Sequence, residues 1–279
     1  MNPSTTRFHR VSMIAISAFA AAAALVPATV SAQGRNRAPL SKLFVASVDG
    51  QSEINRGDKI EEMLLKSAYN AQGSIIETKS KATNALVYSN GTGIFFEPDT
   101  RLEVQKFLQD PFTPNRNDLE IEPSVSQTDA LLTRGTIGLC TSKLVAGTTM
   151  KYRTPLGSGS LMGGKYVIET TPESSKISVL EGEGLARGGS LDLGGQVIHP
   201  GEQAIFSPGA TRDSSLIKIQ KIPDGERSGL DDKVFAACTA RKTVFFETKG
   251  SDPGEIVPVP VVPADLPVPV TVSPSTLPR

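Results

Sequence analysis

The chain has 279 residues, and its 29 Lys and Arg balance 29 Asp and Glu, so the formal net charge is zero. This balance gives no reason to expect a nucleic acid or a strongly acidic partner. The 25 Gly and 20 Pro, with no Trp, are typical of a turn-rich β protein and argue against a helical bundle. The length allows one sizeable domain or two small ones.

Residues 1–32 have the pattern of a secretory signal peptide. Two arginines precede an uncharged apolar run at residues 11–26, and Val30-Ser31-Ala32 supplies small residues for cleavage. We predict cleavage before Gln33, and therefore export to the periplasm or surface of a bacterial cell. An uncleaved membrane anchor is the alternative, because the apolar run with its flank approaches spanning length. Residues 33–42 are predicted to be a flexible lead-in.

Short strands are predicted from residue 43 onward, because apolar and polar positions alternate between Gly and Pro turn signals. Asn90-Gly91 is a strong hairpin signal. Turn signals recurring every 8–12 residues or so are typical of a sandwich or roll. The predicted strands occupy residues 43–48, 52–55, 74–78, 82–88, 94–97, 101–108, 131–144, 150–153, 165–170, 176–180, 196–198, 203–206 and 215–222. Residues 61–67 fit either a helix or a strand, and residues 110–127 are predicted to be a long surface loop.

The most informative stretch is residues 151–185, predicted as strand, glycine turn, strand, turn and strand. Thr154-Pro155 ends the first strand, because proline cannot donate to a β ladder. The glycines at 157, 159, 163 and 164 are predicted to allow sharp turns or a positive φ between extended segments. Among them, Gly163 is expected to adopt a backbone conformation closed to residues with side chains. Glu181-Gly182-Glu183-Gly184 is predicted to be a second turn.

This stretch resembles the FecR protein domain. The similarity rests on Thr-Pro, the glycine-rich turn, a strand, Val-Leu-Glu-Gly and the later Pro200-Gly201-Glu202. Residues 88–93, 98–100, 107–112 and 122–126 resemble the exported, stand-alone members, and the likeness covers roughly residues 43–209. Members usually carry Gly-Ile-Arg-Gly-Thr-x-Phe, but here residues 160–166 lack that Arg and Thr. The motif positions, all assigned structural roles, are Asn90, Gly91, Pro98, Thr154, Pro155, Gly157, Gly163, Gly182, Pro200, Gly201 and Glu202.

The resemblance implies an all-β, FecR-like sandwich or roll. In the regulators of that family the domain carries a signal from an outer-membrane receptor to a cytoplasmic sigma factor. Only ten residues precede the apolar segment here, so the complete relay is not expected in this polypeptide. We therefore expect a non-enzymatic binding, scaffold or relay role through a protein partner in the cell envelope, without a cofactor. The alternatives are an envelope enzyme on a β-sandwich, such as a carbohydrate-active one, and a purely structural envelope protein.

In the C-terminal region the spacing of apolar residues changes from the alternation of a strand to the period of a helix. Leu230, Val234 and Cys238 recur every four residues and predict a helix whose apolar face packs on the β domain. Asp224 and Ser228 are candidate N-caps. Residues 210–250 are thus assigned to a last strand and this helix. The proline-rich residues 251–279 are predicted to be polyproline II or disordered, and the domain to fold without them.

Several residue patterns are candidates for sites of chemistry. The two cysteines, Cys140 in a strand and Cys238 in a helix, are predicted to be free thiols, with a disulfide as the alternative in an exported protein. His199 is the imidazole left after signal cleavage, and a catalytic role is not favoured for it. Residues 159–165 satisfy G-x-x-x-x-G-K, but Tyr166 replaces the required Ser or Thr and a strand follows. We therefore predict a turn and no phosphate site.

The charged and adhesion-like motifs are predicted to be solvated surface. Arg56-Gly57-Asp58 is interpreted as an exposed turn and not as an adhesion motif. Three acidic pairs lack the spacing of a calcium loop, and no metal site is expected from them. These pairs are Glu61-Glu62, Glu120 with Glu122, and Asp231-Asp232.

Overall fold

A computed structural model of the chain describes residues 41–113, 120–189, 192–209, 214–249 and 252–261. The predicted signal peptide, nearly all of the lead-in and the tail beyond residue 261 lie outside these ranges. Within them, no helix combines the length and the apolar character that a membrane crossing requires.

The described residues form seventeen strands and one helix. The first nine strands are β1 (Lys42–Asp49), β2 (Ser52–Asn55), β3 (Ile60–Glu62), β4 (Ala68–Asn70), β5 (Ile75–Thr78), β6 (Thr83–Tyr88), β7 (Gly93–Phe96), β8 (Arg101–Gln109) and β9 (Ser126–Cys140). They are followed by β10 (Thr149–Thr154), β11 (Gly157–Thr170), β12 (Ser175–Arg187), β13 (Gln196–Ile198), β14 (Glu202–Pro208), β15 (Ser215–Lys221), α1 (Asp224–Arg241), β16 (Val244–Lys249) and β17 (Asp252–Pro260). This confirms the all-β prediction with one short C-terminal helix.

Fifteen strands form one hydrogen-bonded sheet, because three long strands change partners along their length. The first half of β9 pairs with β8 and β10, and its second half with β7 and β11. β11 and β12 change neighbours in the same way. One half of the sheet has the order β4-β1-β6-β7-β9-β11-β12-β14-β15, and the other runs from β3 through β2, β5, β8, β9 and β10.

The two halves share one apolar core. Residues from both contribute to it, including Leu86 and Phe96 from the first and Ile76 and Val104 from the second. The rings of Tyr88 and Phe107 stack within it with centroids 4.7 Å apart. Burial of this apolar surface is the main driving force for folding.

Helix α1 covers the outer face of the first half. Leu230 and Val234 pack against Val167 and Ile222, which confirms the predicted apolar helix face. The predicted caps were wrong, because Pro223 occupies the N-cap and no side chain caps the helix. Proline suits a helix start, since the first turn has no intrahelical partner for the missing N–H.

Cys140 and Cys238 form a disulfide that joins β9 to α1. The prediction of free thiols was therefore wrong. It treated a strand and a helix face as separate environments, but α1 lies flat on the strand that carries Cys140. The two Cα atoms are 5.1 Å apart, within the range that a disulfide spans.

A separate two-stranded sheet, the hairpin β16–β17, packs beside the helix. Its Val244, Phe246 and Ile256 are buried against Phe44 and Val87 of the sheet. The prediction that the chain is unstructured or polyproline II from residue 251 was thus wrong for residues 252–260.

The prolines of β17 explain this outcome. Val261 donates its backbone N–H to the Thr243 carbonyl (2.8 Å). Backbone groups alternate in direction along a strand, so those of Val259 and Val257 also point toward β16. The nitrogens of Pro258 and Pro260 therefore point away from β16. Proline is tolerated on an edge strand in that orientation and blocks further pairing there.

Two predicted turns are instead irregularities inside long strands. The turn between β10 and β11 is only Pro155-Leu156, and the glycines after it lie within β11. Glu181 to Gly184 lie within β12. The pairing of the two strands shifts between Leu161 and Gly164, which is a bulge and not a reversal of the chain.

Candidate functional site

A groove of about 720 Å³ opens where the C-terminal end of α1 meets this bulge. Five segments line it: residues 120–121, 140–144, 162–165, 181–182 and the helix end at 238–242. Its volume lies within the range of clefts that hold ligands, roughly 300–1,000 Å³.

Glycines in unusual conformations build one wall of the groove. Gly163 and Gly182 have φ of 88° and 83°, a region that residues with side chains rarely adopt, as was expected for Gly163. The two backbones are so close that a Cβ on Gly182 would lie 1.9 Å from the Gly163 carbonyl oxygen. Glycine at position 182 is therefore required by space as well as by φ.

Side-chain hydrogen bonds hold this wall in place. The Tyr166 hydroxyl lies 2.7 Å from the Gly163 carbonyl oxygen and 2.9 Å from that of Glu183, so that it donates to this pair. Burial raises the pKa of Tyr166, so the hydroxyl keeps its proton at neutral pH. From the other side, the Gly164 N–H donates to Thr141 Oγ1 at 2.7 Å.

Arg241 anchors the opposite wall. Its side chain is buried, and its Nε donates to the Gly91 carbonyl (3.1 Å) and its Nη2 to Ser142 Oγ (2.9 Å). Nη1 pairs with Glu120 at 3.2 Å. The sequence gives no signal for this role of Arg241, because its partners lie far away in the chain.

The groove also exposes apolar and positively charged side chains. Met162 is 61% exposed and Ile121 46% exposed, although both are large and apolar. Lys165 pairs with Glu181 at the rim, but Lys143 and Lys242 form no ion pair with the described residues. The groove thus presents two exposed apolar side chains together with two lysines that form no ion pair in the described part of the chain. This combination suits an extended segment with apolar side chains and a carboxylate.

A buried polar network lies beside the groove, at the predicted hairpin position Asn90. Glu122 is only 2% exposed and accepts hydrogen bonds from Ser126 (2.5 Å), Thr148 (2.6 Å) and Asn90 (3.3 Å). A fourth comes from the Val145 N–H at 3.2 Å. The prediction that Glu122 is solvated was wrong, because its donors converge only in space.

The remaining motif positions occupy turns away from the groove. Asp99, directly after Pro98, has φ of 56°, and Thr154 Oγ1 accepts the Gly157 N–H at 3.1 Å in the turn that Pro155 opens. Gly201, next to Pro200, has φ of 84°, and the Glu202 carboxylate accepts the His199 N–H at 2.9 Å. Of the family-motif positions, Gly163 and Gly182 line the groove. Gly91 does not line it, but its carbonyl accepts a hydrogen bond from Arg241, which does.

The other candidates for chemistry are not assembled into sites. His199 is exposed, with its Nδ1 3.6 Å from Glu183. Residues 159–165 lie inside β11, without a helix behind them. In the described part of the chain, no three His, Cys, Asp or Glu residues come together as metal ligands.

The surface motifs occupy solvent-exposed positions. Arg56-Gly57-Asp58 is an exposed bend. Glu61 pairs with Arg56 and Lys59. Asp231 pairs with Arg227, and Asp232 is exposed.

No protein-family model matches the chain, and no curated protein is significantly similar to it. Two crystal structures of a "putative anti-sigma factor" from Parabacteroides distasonis are similar to part of it, at 13% identity and TM-scores of 0.39 and 0.38. Each alignment covers 55% of this chain and 62% of that chain, so less than two thirds of those structures is matched. Similarity this distant assigns neither a family nor a function.

Proposed function

We propose that this chain is an exported, non-enzymatic binding or relay protein of FecR type, which holds a segment of a partner protein in the groove. The observation that carries the proposal is that the exposed Met162 and Ile121 line the same groove as Lys143 and Lys242. Exposed apolar surface rimmed by charge is typical of protein interaction sites. The partner segment is expected to be extended, apolar and acidic.

The rigidity of the groove supports this role. The Gly163–Gly182 contact, the disulfide and the buried Arg241 fix three of its walls. A preformed groove binds with less loss of conformational freedom than a surface that must order itself first. The FecR resemblance supplies the expectation that the partner belongs to the cell envelope.

The proposal is tested by a photo-crosslinking amino acid at Met162 in the chain expressed in its host. Leu64 is the matched control, because it is an equally exposed apolar residue (60%) outside the groove. We expect a crosslink to one envelope protein from position 162 and none from position 64. The combined Lys143→Glu and Lys242→Glu substitutions are expected to abolish it. Identical products from both positions, or none from 162, would overturn the proposal.

A further inference from the structure

The chain leaves the described structure beside the groove. Because β17 runs antiparallel to β16, Val261 follows Pro260 past the start of β16 and lies beside Thr243, next to the end of α1. The last described contact is the 2.8 Å hydrogen bond from the Val261 N–H to the Thr243 carbonyl. The next residue on the helix side is Lys242, which lines the groove. The described chain therefore ends beside the rim of the groove.

The tail has the chemistry that the groove suits. Residues 262–279 hold one acidic residue, Asp265, with Val262, Leu266 and further valines around it. Asp265 lies four residues beyond Val261, a reach of up to about 13 Å in an extended chain. That distance is enough to bring its carboxylate to the Lys242 side of the groove.

Proline reduces the conformational entropy that such a segment loses on binding. Five prolines occur in residues 262–279 and restrict φ before the segment binds. A segment that is already extended loses less conformational entropy on docking.

We propose that residues 262–279 occupy the groove of their own chain when no partner is bound, with Asp265 beside Lys242 and Lys143. This inference rests on the proposed function, because it makes the tail a competitor that a partner segment must displace. The apolar side chains around Asp265 then cover Met162.

Amine labelling of the purified chain tests the proposal without a partner. Acetylation rates of Lys143 and Lys242, measured by mass spectrometry, are compared between the mature chain and a chain that ends at Val261. A short linker gives an effective concentration of about 1 mM, so with a dissociation constant of about 0.1 mM the docked form outnumbers the free form about ten to one. We therefore expect both lysines to be labelled about tenfold faster without the tail. Lys66 and Lys81, exposed and outside the groove, serve as internal controls.

Charge variants separate specific docking from simple crowding by the tail. Asp265→Lys is expected to raise the labelling rates as truncation does, whereas Asp265→Glu keeps the charge and leaves them at the wild-type level. Equal rates with and without the tail overturn the inference, and an effect of truncation without an effect of Asp265→Lys overturns the assigned pairing. Protection that rises with protein concentration indicates the tail of a second copy and overturns binding within one chain. None of these results depends on the crosslinking experiment, so either proposal can fail alone.

Discussion

Gly93 of β7 lies directly under Ala237 of α1, so closely that an added Cβ would be 2.1 Å from the Ala237 carbonyl oxygen. On the neighbouring strand, a Cβ at Gly138 would lie 2.7 Å from the Lys233 carbonyl oxygen. Two glycines on adjacent strands thus form a flat surface on which the helix backbone rests. Neither has a positive φ, so the requirement for glycine is one of space.

The first prediction follows from this contact. Gly93→Ala should push α1 away from the sheet and lower the free energy of unfolding by about 2 kcal/mol or more, as overpacking does. Gly225→Ala is the matched control, since a Cβ there meets nothing within 4 Å and alanine favours a helix. Chemical denaturation measures both, and a Gly93→Ala variant as stable as the control would contradict the close contact.

The disulfide should contribute strongly to stability, because Cys140 and Cys238 are 98 residues apart. Closing a loop of about 100 residues limits the unfolded chain, and removal of a native disulfide typically costs about 2–5 kcal/mol. For a chain of this length, each kcal/mol lowers the melting temperature by about 2–4 °C. Calorimetry of the Cys140→Ser, Cys238→Ser double variant should show this loss, and reductant should then have no further effect. An unchanged melting temperature would mean that the helix is held by packing alone.

The sequence allowed the strands to be predicted well, because their signals are local. Alternating apolar residues, bounded by turn residues, predicted strands at 52–55 and 196–198, and β2 and β13 begin and end at these residues. The hairpin at Asn90-Gly91 was likewise visible, since such a turn requires particular residue types. The apolar face of α1 followed from its spacing.

What the sequence did not reveal depends on contacts between distant residues. A glycine that permits a bulge has the same local signature as one that permits a turn, so β11 and β12 were divided wrongly. Glu122 was misjudged because its donors come from three segments. Prolines at alternate positions are compatible with an edge strand, but only a neighbour such as β16 makes that strand form. The groove was not predicted for the same reason, although Gly163 and Gly182 were singled out.

The C-terminal segment should show two different effects of truncation. Ending the chain at Val261 should leave the melting temperature within a few degrees, because β17 is retained. Ending it at Gly250 removes the buried Ile256 and the strand that pairs with Phe246. Burial of such a side chain contributes about 1.5–3 kcal/mol, so a clear drop is expected. Equal melting temperatures for the two chains, read by calorimetry, would show that the hairpin contributes little.

The bulge predicts an order of effects among glycine substitutions. Gly163→Ala requires an unfavourable φ, which costs about 1–2 kcal/mol, but its nearest neighbour is a movable side-chain atom of Leu144 at 3.3 Å. Gly163→Val should cost more, because β-branched residues tolerate a positive φ poorly. Gly182→Ala carries the same φ penalty and also collides with the Gly163 backbone. We expect Gly182→Ala to be the more harmful alanine variant in denaturation experiments, and the reverse order would refute this account of the bulge.

The last prediction concerns acid. Burial alone would raise the pKa of Glu77, but hydrogen bonds from Lys79 and Arg101 and the charge of Arg134 outweigh it and lower the pKa below 4.5. A carboxyl whose pKa is lower in the folded state contributes stability above its unfolded pKa, and loses it as pH falls through the folded value. Glu77→Gln should therefore flatten the decline in stability below about pH 4.5 and weaken the fold at pH 7.

The matched control is Glu173→Gln, since Glu173 is exposed and forms no ion pair with the described residues. It should leave the pH dependence of stability unchanged. Urea denaturation from pH 3 to pH 7 measures both variants against the wild type. If Glu77→Gln follows the wild-type profile, the three cations do not stabilise this carboxylate. If it falls more steeply with acid than the wild type, the sign of the pKa shift is wrong.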